Sequence, residues 1–390
     1  MRVVVLGGAE NQMGCIDAAH RLGADVTVVD PRPDVPGRWA AEHWIELDAA
    51  ATPEIVLALG GTSVDAVVSD QSDYTARASA ALAVALGLKG QDLDLIDTCT
   101  NKYAMRRRLL GPVPDLIPPF RHFDDPDAAV SYALIQTSPQ VVKPVQSQGS
   151  RGVGLLRPGS ERELVERSFS LSDGRGVLVE QAVFGREYSV DGYVSNGTLL
   201  PLAISAKSQY LGNECLDERL DFLPSLYADA EGPLVAAVRR IVAALGISFG
   251  IIHAELFADG MDVTLVEIAL RGGGSAISSV VVPFLTSFDP AEALLRDLLS
   301  LSSPPPPRDF RERAAILRFL PALSLPTTVP RRDSTIEGWL TLVITNPLAE
   351  GTPTSSDDRA GFVVLGAASE AAAVDAEQAA LRSLGYSAGV

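Results

Sequence analysis

The stretch "HAELFADGMDVTLVEIALRGGG", residues 253–274, places two glutamates on either side of a glycine-containing turn. Glu255 and Glu267 lie twelve residues apart, and Met261 is at their midpoint in the turn "DGMD". A hairpin closed symmetrically about Met261 sets the two glutamates directly opposite each other on one face. Opposed carboxylates repel unless a cation neutralises them. The pattern therefore predicts that the two glutamates bind a divalent cation, Mg²⁺ or alternatively Mn²⁺, which also binds a phosphate ligand.

The hairpin alone leaves two other interpretations open. The glutamates can be a solvent-facing pair on an exposed strand, where each carboxylate is solvated separately. A register slip of one residue would also place them on opposite faces of the sheet. A metal site at this hairpin therefore needs support from other parts of the chain.

The segment "QVVKPVQSQGSRGVGLL", residues 140–156, is a second candidate for anion binding. Lys143 ends an apolar strand, and the loop after it offers successive backbone N–H groups with small side chains, which suits an anion. Its spacing matches neither the G-x-x-x-x-G-K-[ST] phosphate loop nor the G-x-G-x-x-G fingerprint. An ordinary glycine turn beside a surface lysine is the alternative interpretation.

Further charged residues stand near predicted element ends. Lys102 begins a helix in "NKYAMRRRLL", and Glu180 and Glu187 flank the end of a strand. Each of these, taken singly, is equally typical of solvated surface charge. The three arginines at positions 106 to 108 are expected to form a solvated helix face.

Composition restricts the class of protein. The chain has 390 residues, of which 47% are hydrophobic and 21% charged, enough for two or three packed domains. A net charge of −17 repels nucleic acid and anionic membrane surfaces, so neither is an expected partner. Cys15, Cys99 and Cys215 have no C-x-x-C spacing, which argues against a disulfide framework or zinc site. With no signal-peptide core at the start of the chain, we expect a cytoplasmic protein.

The first 98 or so residues alternate short apolar strands with helices, beginning with "RVVVLGG", "ADVTVVD" and "VDAVVSD". This alternation predicts an α/β unit with a doubly wound parallel sheet. Gly7, Gly8 and Gly14 follow the first strand, and Asp30 ends the second, so a dinucleotide fold is the rival interpretation. Their glycine spacing does not match that fingerprint.

In chain order the motifs read N-K-x-x-M-R, V-V-K-P-x-x-S-x-G-S-R-G-V, V-E-Q-x-x-x-G-R-E-Y-S-V, H-A-E and V-E-I-A-L-R-G-G-G. This order resembles the ATP-grasp superfamily, in the branch of the carbamoyl-phosphate synthetase large chain, biotin carboxylase and the carboxylate–amine ligases. The resemblance covers nearly the whole chain. It implies a Rossmann-like pre-ATP-grasp domain over 1–98, a linker helix and mobile lid subdomain over 99–182, an α+β catalytic core over 183–303, and a small C-terminal α+β segment over 304–390.

The resemblance also implies roles for individual residues. Nucleotide phosphates would be contacted by Lys102, Lys143 and a flap containing Ser147, Gly149, Ser150, Gly152 and Val153. Adenine would be held by Glu180 and the backbone of Gln181 and Val183, and ribose by Glu187. The metal would be bound by Glu255 and Glu267, and catalysis assisted by Arg271 and Lys143. Substrate contacts would come from Gly272, Gly273, Gly274, Ser275, Asp70 and Asp73.

The chain departs from the family pattern at one position. The family often has Asn two residues after the second metal glutamate, where this chain has Ala269. One metal ligand is then missing or supplied by water or substrate, which leaves the number of metal ions open.

The resemblance implies an ATP-dependent ligase that joins a small carboxylate to an amine, both amino-acid-like, through an acyl-phosphate. A bicarbonate-using carboxylase or carbamoyl-phosphate-type enzyme is the first alternative, and a non-catalytic ATP-binding protein is the second. A homodimer is expected from the family alone.

Overall fold

The computed structural model describes residues 1–320, 337–345, 353 and 355–386. Strands β1 to β16 span, in order, Arg2–Leu6, Asp25–Val29, His43–Ile45, Ala66–Val68, Phe120–Phe123, Gln140–Pro144, Gly154–Leu156, Val177–Gln181, Arg186–Ser195, Thr198–Tyr210, Asn213–Phe222, Gly250–Asp259, Asp262–Ala269, Ala314–Leu320, Trp339–Ile344 and Gly361–Ala367. Helices α1 to α13 span, in order, Met13–Arg21, Pro36–Ala40, Thr52–Leu59, Asp73–Leu86, Leu93–Thr100, Lys102–Leu109, Pro126–Leu134, Glu161–Ser170, Pro224–Tyr227, Glu231–Leu245, Val282–Thr286, Pro290–Leu298 and Glu370–Ser383.

The first sheet is parallel, with strand order β3-β2-β1-β4. Alternate side chains of β1 lie on opposite faces of the sheet. Val3 belongs to the same apolar cluster as Ile16 of α1, and Val4 belongs to another cluster with Ile55 of α3. Helices thus cover both faces, which confirms the predicted doubly wound α/β unit. The Asp30 carboxylate accepts a 2.9 Å hydrogen bond from the Gly8 N–H, so it closes the glycine loop internally.

The second sheet is antiparallel, with strand order β5-β8-β6-β7. Helices α7 and α8 pack on it through a buried apolar cluster that includes Val130 and Val165. Lys143 lies near the end of β6, and Glu180 lies on β8 opposite Val141. The glycine loop joins β6 to β7, so this small sheet carries the predicted phosphate-binding elements together.

The third sheet has eight antiparallel strands in the order β13-β12-β9-β10-β11-β14-β16-β15. The predicted hairpin of β9 and β10 turns at Asn196 and Gly197, whose positive φ angles of 48° and 74° suit the favoured two-residue hairpin turn. Strand β11 was not predicted. Residues 301–309, at the proline-rich linker, form neither helix nor strand, yet β14 to β16 continue the same sheet. The predicted domain limits stay a prediction.

Glu255 and Glu267 pair as predicted, but the turn between them is not centred on the predicted residue. The turn pairs Asp259 with Asp262, so the outer hairpin is centred between Gly260 and Met261 rather than on Met261. In that register Glu255 would face Val266. An irregularity between Glu255 and Leu256 in the pairing shifts the register by one residue, and Glu255 then faces Glu267. A β-bulge at Val266 therefore puts both carboxylates on one face.

No helix among the described residues is long and apolar enough to span a bilayer.

Candidate functional site

A cleft of about 1320 Å³ separates the small antiparallel sheet from the eight-stranded sheet. Its lining includes most of the predicted site residues: Lys102, Lys143, Ser147, Gly149, Ser150, Val153, Glu180, Gln181, Val183, Glu187, Glu255, Glu267, Arg271, Gly274 and Ser275. The other predicted residues are not part of the lining: Gly152, Gly272, Gly273, Asp70 and Asp73. Residues from three distant parts of the chain thus converge on one space large enough for a nucleotide and a second ligand.

The two hairpin glutamates are each held by a lysine. Lys207 Nζ lies 2.6 Å from Glu255 Oε1, and Lys102 Nζ lies 3.2 Å from Glu267 Oε2. The carboxylates therefore attract cations in the way that the repulsion argument predicts. Here the nearby positive charges belong to the protein itself.

This pair of carboxylates fits a metal that arrives with its nucleotide. The described residues contain no cluster of three or more His, Cys, Asp or Glu side chains suited to a metal ion. Mg²⁺ in proteins commonly takes one or two carboxylates and completes its shell with phosphate oxygens and water. Glu255 and Glu267 supply such a pair, while Ala269, opposite His253, adds no ligand. Metal binding by these glutamates stays a prediction.

Lys207 is a site residue that the sequence did not reveal. It lies on β10 and is 4% exposed, with its Nζ 2.9 Å from Glu187 and 3.1 Å from Asp217 as well as close to Glu255. Burial lowers the pKa of Lys207, but the three carboxylates outweigh it and raise the pKa well above its usual value. Burial raises the pKa of Glu187 to about 7, opposed by Lys207 and aided by Asp217 and Glu255. The only signal in the sequence was a lysine in the apolar run "LPLAISAKSQY".

The expectation of a solvated arginine face is wrong for Arg106. This side chain is fully buried and forms a two-pronged ion pair with Glu180, at 2.8 Å from Nε and 3.3 Å from Nη2. Its Nη2 also donates to the Val266 carbonyl at the bulge of the glutamate hairpin. Arg107 and Arg108 are exposed as expected. Arg106 thus connects the small sheet to the glutamate hairpin.

Glu180 is shared by two cations. Lys143 Nζ lies 2.6 Å from Glu180 Oε2, the oxygen that Arg106 Nη2 also contacts at 3.3 Å. Burial raises the pKa of this carboxyl, but Arg106 and Lys143 together lower it to about 2. The carboxylate is therefore ionised at neutral pH, and its oxygens form ion pairs with Arg106 and Lys143. Adenine recognition by Glu180, Gln181 and Val183 stays a prediction, as does ribose binding by Glu187.

The lowered pKa of Glu180 predicts a pH-dependent contribution to stability. A carboxyl whose folded pKa is depressed contributes fully above its unfolded pKa and loses that contribution as pH falls through the folded value. We expect the stability difference between wild type and Glu180→Gln to be full above pH about 4.5 and to shrink toward pH about 2. Urea unfolding of both proteins at pH values of roughly 6, 4.5 and 3 measures it. A difference that does not change with pH would contradict the ion pair.

His253 forms a buried pair with Asp191 at the floor of the cleft. His253 Nδ1 lies 2.8 Å from Asp191 Oδ1, and its Nε2 lies 3.3 Å from Glu255 Oε1. Burial lowers the pKa of His253, but the two carboxylates raise it to about 10. A Cβ at Gly273 would lie 2.8 Å from Asp191 Oδ1. Gly273 therefore permits close packing on this pair.

Two aspartates that follow β4 contact the segment that follows β13. Asp73 forms an ion pair with Arg271, and Asp70 accepts hydrogen bonds from the Gly272 N–H at 2.6 Å and the Ser278 hydroxyl at 2.8 Å. Both carboxylates thus hold the segment that follows β13. Their predicted role as substrate contacts stays a prediction.

Two amides from the same sheet line the cleft, although sequence reasoning did not select them. Asn11 and Gln71 both belong to the lining, and the Gln71 side chain donates to the Asn11 carbonyl at 2.9 Å. The Gln71 backbone has a φ of 66°, which is uncommon for a residue with a side chain. The loops after β1 and β4 therefore reach the cleft through amides rather than carboxylates.

Comparison with known proteins agrees with this geometry. Residues 136–279 match the ATP-grasp domain family. The L-amino acid ligase from Bacillus licheniformis has a similar structure, with a TM-score of 0.77, 21% sequence identity and 97% of each chain covered. The fold is thus similar to that of this ligase, and the matched residues 136–279 include most of the small antiparallel sheet and the glutamate hairpin.

Two sequence relatives extend the comparison. The formate-dependent phosphoribosylglycinamide formyltransferase of Paraburkholderia xenovorans is 26% identical over 292 residues, covering 69% of each protein. The uncharacterised protein y4rH of Sinorhizobium fredii is 25% identical over 278 residues, which is 68% of this chain and 56% of that protein. The chain therefore matches little more than half of the length of y4rH.

Proposed function

We propose that this protein is an ATP-dependent carboxylate–amine ligase that forms an amide bond and releases ADP and phosphate. The observation that carries the proposal is the pair Glu255 and Glu267 facing each other in a cleft that also presents Lys102, Lys143 and Arg271. The ATP-grasp domain supports ATP as a substrate. The named relatives, a ligase and a formate-dependent formyltransferase, support carboxylate activation as the reaction class.

The proposed chemistry has two steps. A substrate carboxylate oxygen attacks the γ-phosphorus of ATP, the bond to the bridging oxygen breaks, and ADP leaves with that electron pair. The amine nitrogen then attacks the acyl carbon, the bond to the phosphate oxygen breaks, and the nitrogen gives up a proton as the amide forms. A covalent intermediate with the protein is not required.

Charge is the main obstacle to the first step, because a carboxylate must approach a triphosphate. Mg²⁺ bound with the nucleotide would supply part of the neutralisation at Glu255 and Glu267. Lys102, Lys143 and Arg271 supply the protein's part: they are buried or nearly so and fixed by partners, so little reorganisation is needed. Arg271 is held by Asp73, lies directly after the glutamate hairpin and is suited to binding the transferring phosphoryl group.

The glycine loop after β6 would shield the intermediate from water. Lys102 Nζ donates to the Ser147 carbonyl at 3.1 Å, and the Ser356 N–H donates to the Gly149 carbonyl at 3.2 Å. The loop is therefore contacted from two sides of the cleft. A closed loop over the phosphates limits hydrolysis of an acyl-phosphate before the amine arrives.

Product analysis tests the proposal. The protein is incubated with Mg²⁺, ATP and a library of amino acids and small acids, with and without bicarbonate, and products are identified by mass spectrometry. We expect ADP and phosphate in equal amounts with an amide product. Turnover that depends on bicarbonate would instead indicate the carboxylase chemistry. Nucleotide binding without ADP release under any condition would refute the ligase proposal.

A further inference from the structure

Arg359 is a buried cation in the cleft that the mechanism above does not use. It belongs to the turn Ser355–Arg359, just before β16, and is 8% exposed while lining the cleft. One guanidinium nitrogen donates to the Asp217 carbonyl, and Nε has no hydrogen-bond partner. Among the described residues no carboxylate forms an ion pair with it, because the Asp217 carboxylate pairs with Lys207 instead.

The other buried or half-buried arginines in and beside the cleft named above have carboxylate partners. Arg106 pairs with Glu180, Arg271 pairs with Asp73, and Arg318 on the neighbouring strand pairs with Glu218 at 2.8 Å. A buried charge without a counter-charge is costly, since neither water nor a partner offsets its desolvation. Burial lowers the pKa of Arg359 below its usual value, in keeping with that imbalance. The guanidinium nevertheless remains protonated, so its counter-charge has to come from elsewhere.

The guanidinium is also held in a defined orientation. Its carbon lies 3.6 Å from the centre of the Phe319 ring, while one of its nitrogens is bound to the Asp217 carbonyl. Phe319 lines the cleft beside it. A planar cation stacked on an aromatic ring presents its remaining N–H groups as a fixed fork, the geometry that matches a carboxylate or phosphate.

We propose that Arg359 forms an oxyanion subsite of the cleft, which binds a carboxylate or phosphate group of a substrate. The carboxylate source is the acid or amine substrate, and the phosphate source is the γ-phosphate of ATP. The subsite lies on the Lys207 side of the glutamate hairpin: Arg359 donates to the Asp217 carbonyl, and Lys207 pairs with both Asp217 and Glu255. It deepens the proposed ligase function and rests on it for the identity of the occupant, but its binding test needs no turnover.

The test compares Arg359→Met with wild type in three binding measurements. Calorimetry gives the dissociation constants of Mg·ADP and of Mg·AMP-PNP, and thermal shift with Mg·ADP present measures stabilisation by acetate and inorganic phosphate. We expect Arg359→Met to bind one of these oxyanions about 30-fold or more weakly than wild type does. This is the loss typical of removing one partner from a buried charge pair. Loss for AMP-PNP with ADP unchanged identifies the γ-phosphate. Loss of the acetate effect with both nucleotides unchanged identifies a substrate carboxylate.

A structural role makes a different prediction. Arg318→Met is the matched control, because it removes an equally buried guanidinium that has a protein carboxylate. We expect Arg318→Met to lower the melting temperature without changing anion binding, and Arg359→Met to leave the ligand-free melting temperature unchanged or higher. Arg359→Lys keeps the charge without the fork and should bind anions with intermediate affinity. Unchanged binding of all probes in both Arg359 variants overturns the subsite, whether or not the ligase proposal holds.

Discussion

Glu267→Gln is expected to reduce ATP turnover by about 10³-fold or more while leaving the protein folded. The substitution keeps the size and shape of the side chain and removes one of the two charges that face each other across the hairpin. Metal-linked nucleotide binding should weaken together with turnover, since the phosphates would lose their shared cation. ADP release and Mg²⁺-dependent calorimetry with AMP-PNP measure the two effects.

Asp262→Asn is the matched control for this experiment. Asp262 begins the same strand and is exposed beside the turn, opposite Asp259 rather than in the cleft. Its substitution should leave both turnover and nucleotide binding unchanged. Full Mg²⁺-dependent activity in Glu267→Gln would refute the metal role of the hairpin and with it the proposed chemistry.

Arg106→Gln is expected to destabilise the protein by about 3–5 kcal/mol, the range for breaking a buried pair by removing one partner. The reason is that Glu180 keeps its charge in a buried position and retains only Lys143, while the Val266 carbonyl loses a donor. Denaturant unfolding with a two-state fit gives the free energy of unfolding.

Arg108→Gln, two residues away on the same helix, supplies the comparison. Its guanidinium is exposed and lies 3.6 Å from an exposed Asp94, so the change should stay within about 0.5 kcal/mol. Equal effects of the two substitutions would mean that the buried ion pair contributes no more than a solvated one.

Local sequence patterns were sufficient to predict those parts of the fold that neighbouring residues decide. The parallel N-terminal unit follows from short apolar strands alternating with helices, and the β9–β10 turn follows from Asn196 and Gly197, which tolerate positive φ. The order of the lysine, glycine and glutamate motifs was sufficient to indicate an ATP-grasp fold. Each of these features depends on residues close together in the chain or on the order of the motifs along it.

The pairing of Glu255 with Glu267 shows where such reasoning is fragile. Symmetry about Met261 predicted the right partners, but the turn is centred half a residue earlier and the bulge at Val266 restores the register. A bulge depends on what packs against the strand, here including Arg106, which donates to the Val266 carbonyl. Strand register is therefore set jointly by the turn and by contacts across the cleft.

By itself the sequence determined the fold class, the positions of Lys102 and Lys143 and the acidic hairpin, because these follow from local pattern and motif order. Only the tertiary structure decided which charges meet. Lys207 joins Glu187, Asp217 and Glu255, Arg106 turns inward to Glu180, and Arg359 comes to the cleft without a carboxylate partner among the described residues. The physical reason is that an ion pair depends on distances of a few ångströms between residues far apart in the chain, such as Asp73 and Arg271, which are 198 positions apart.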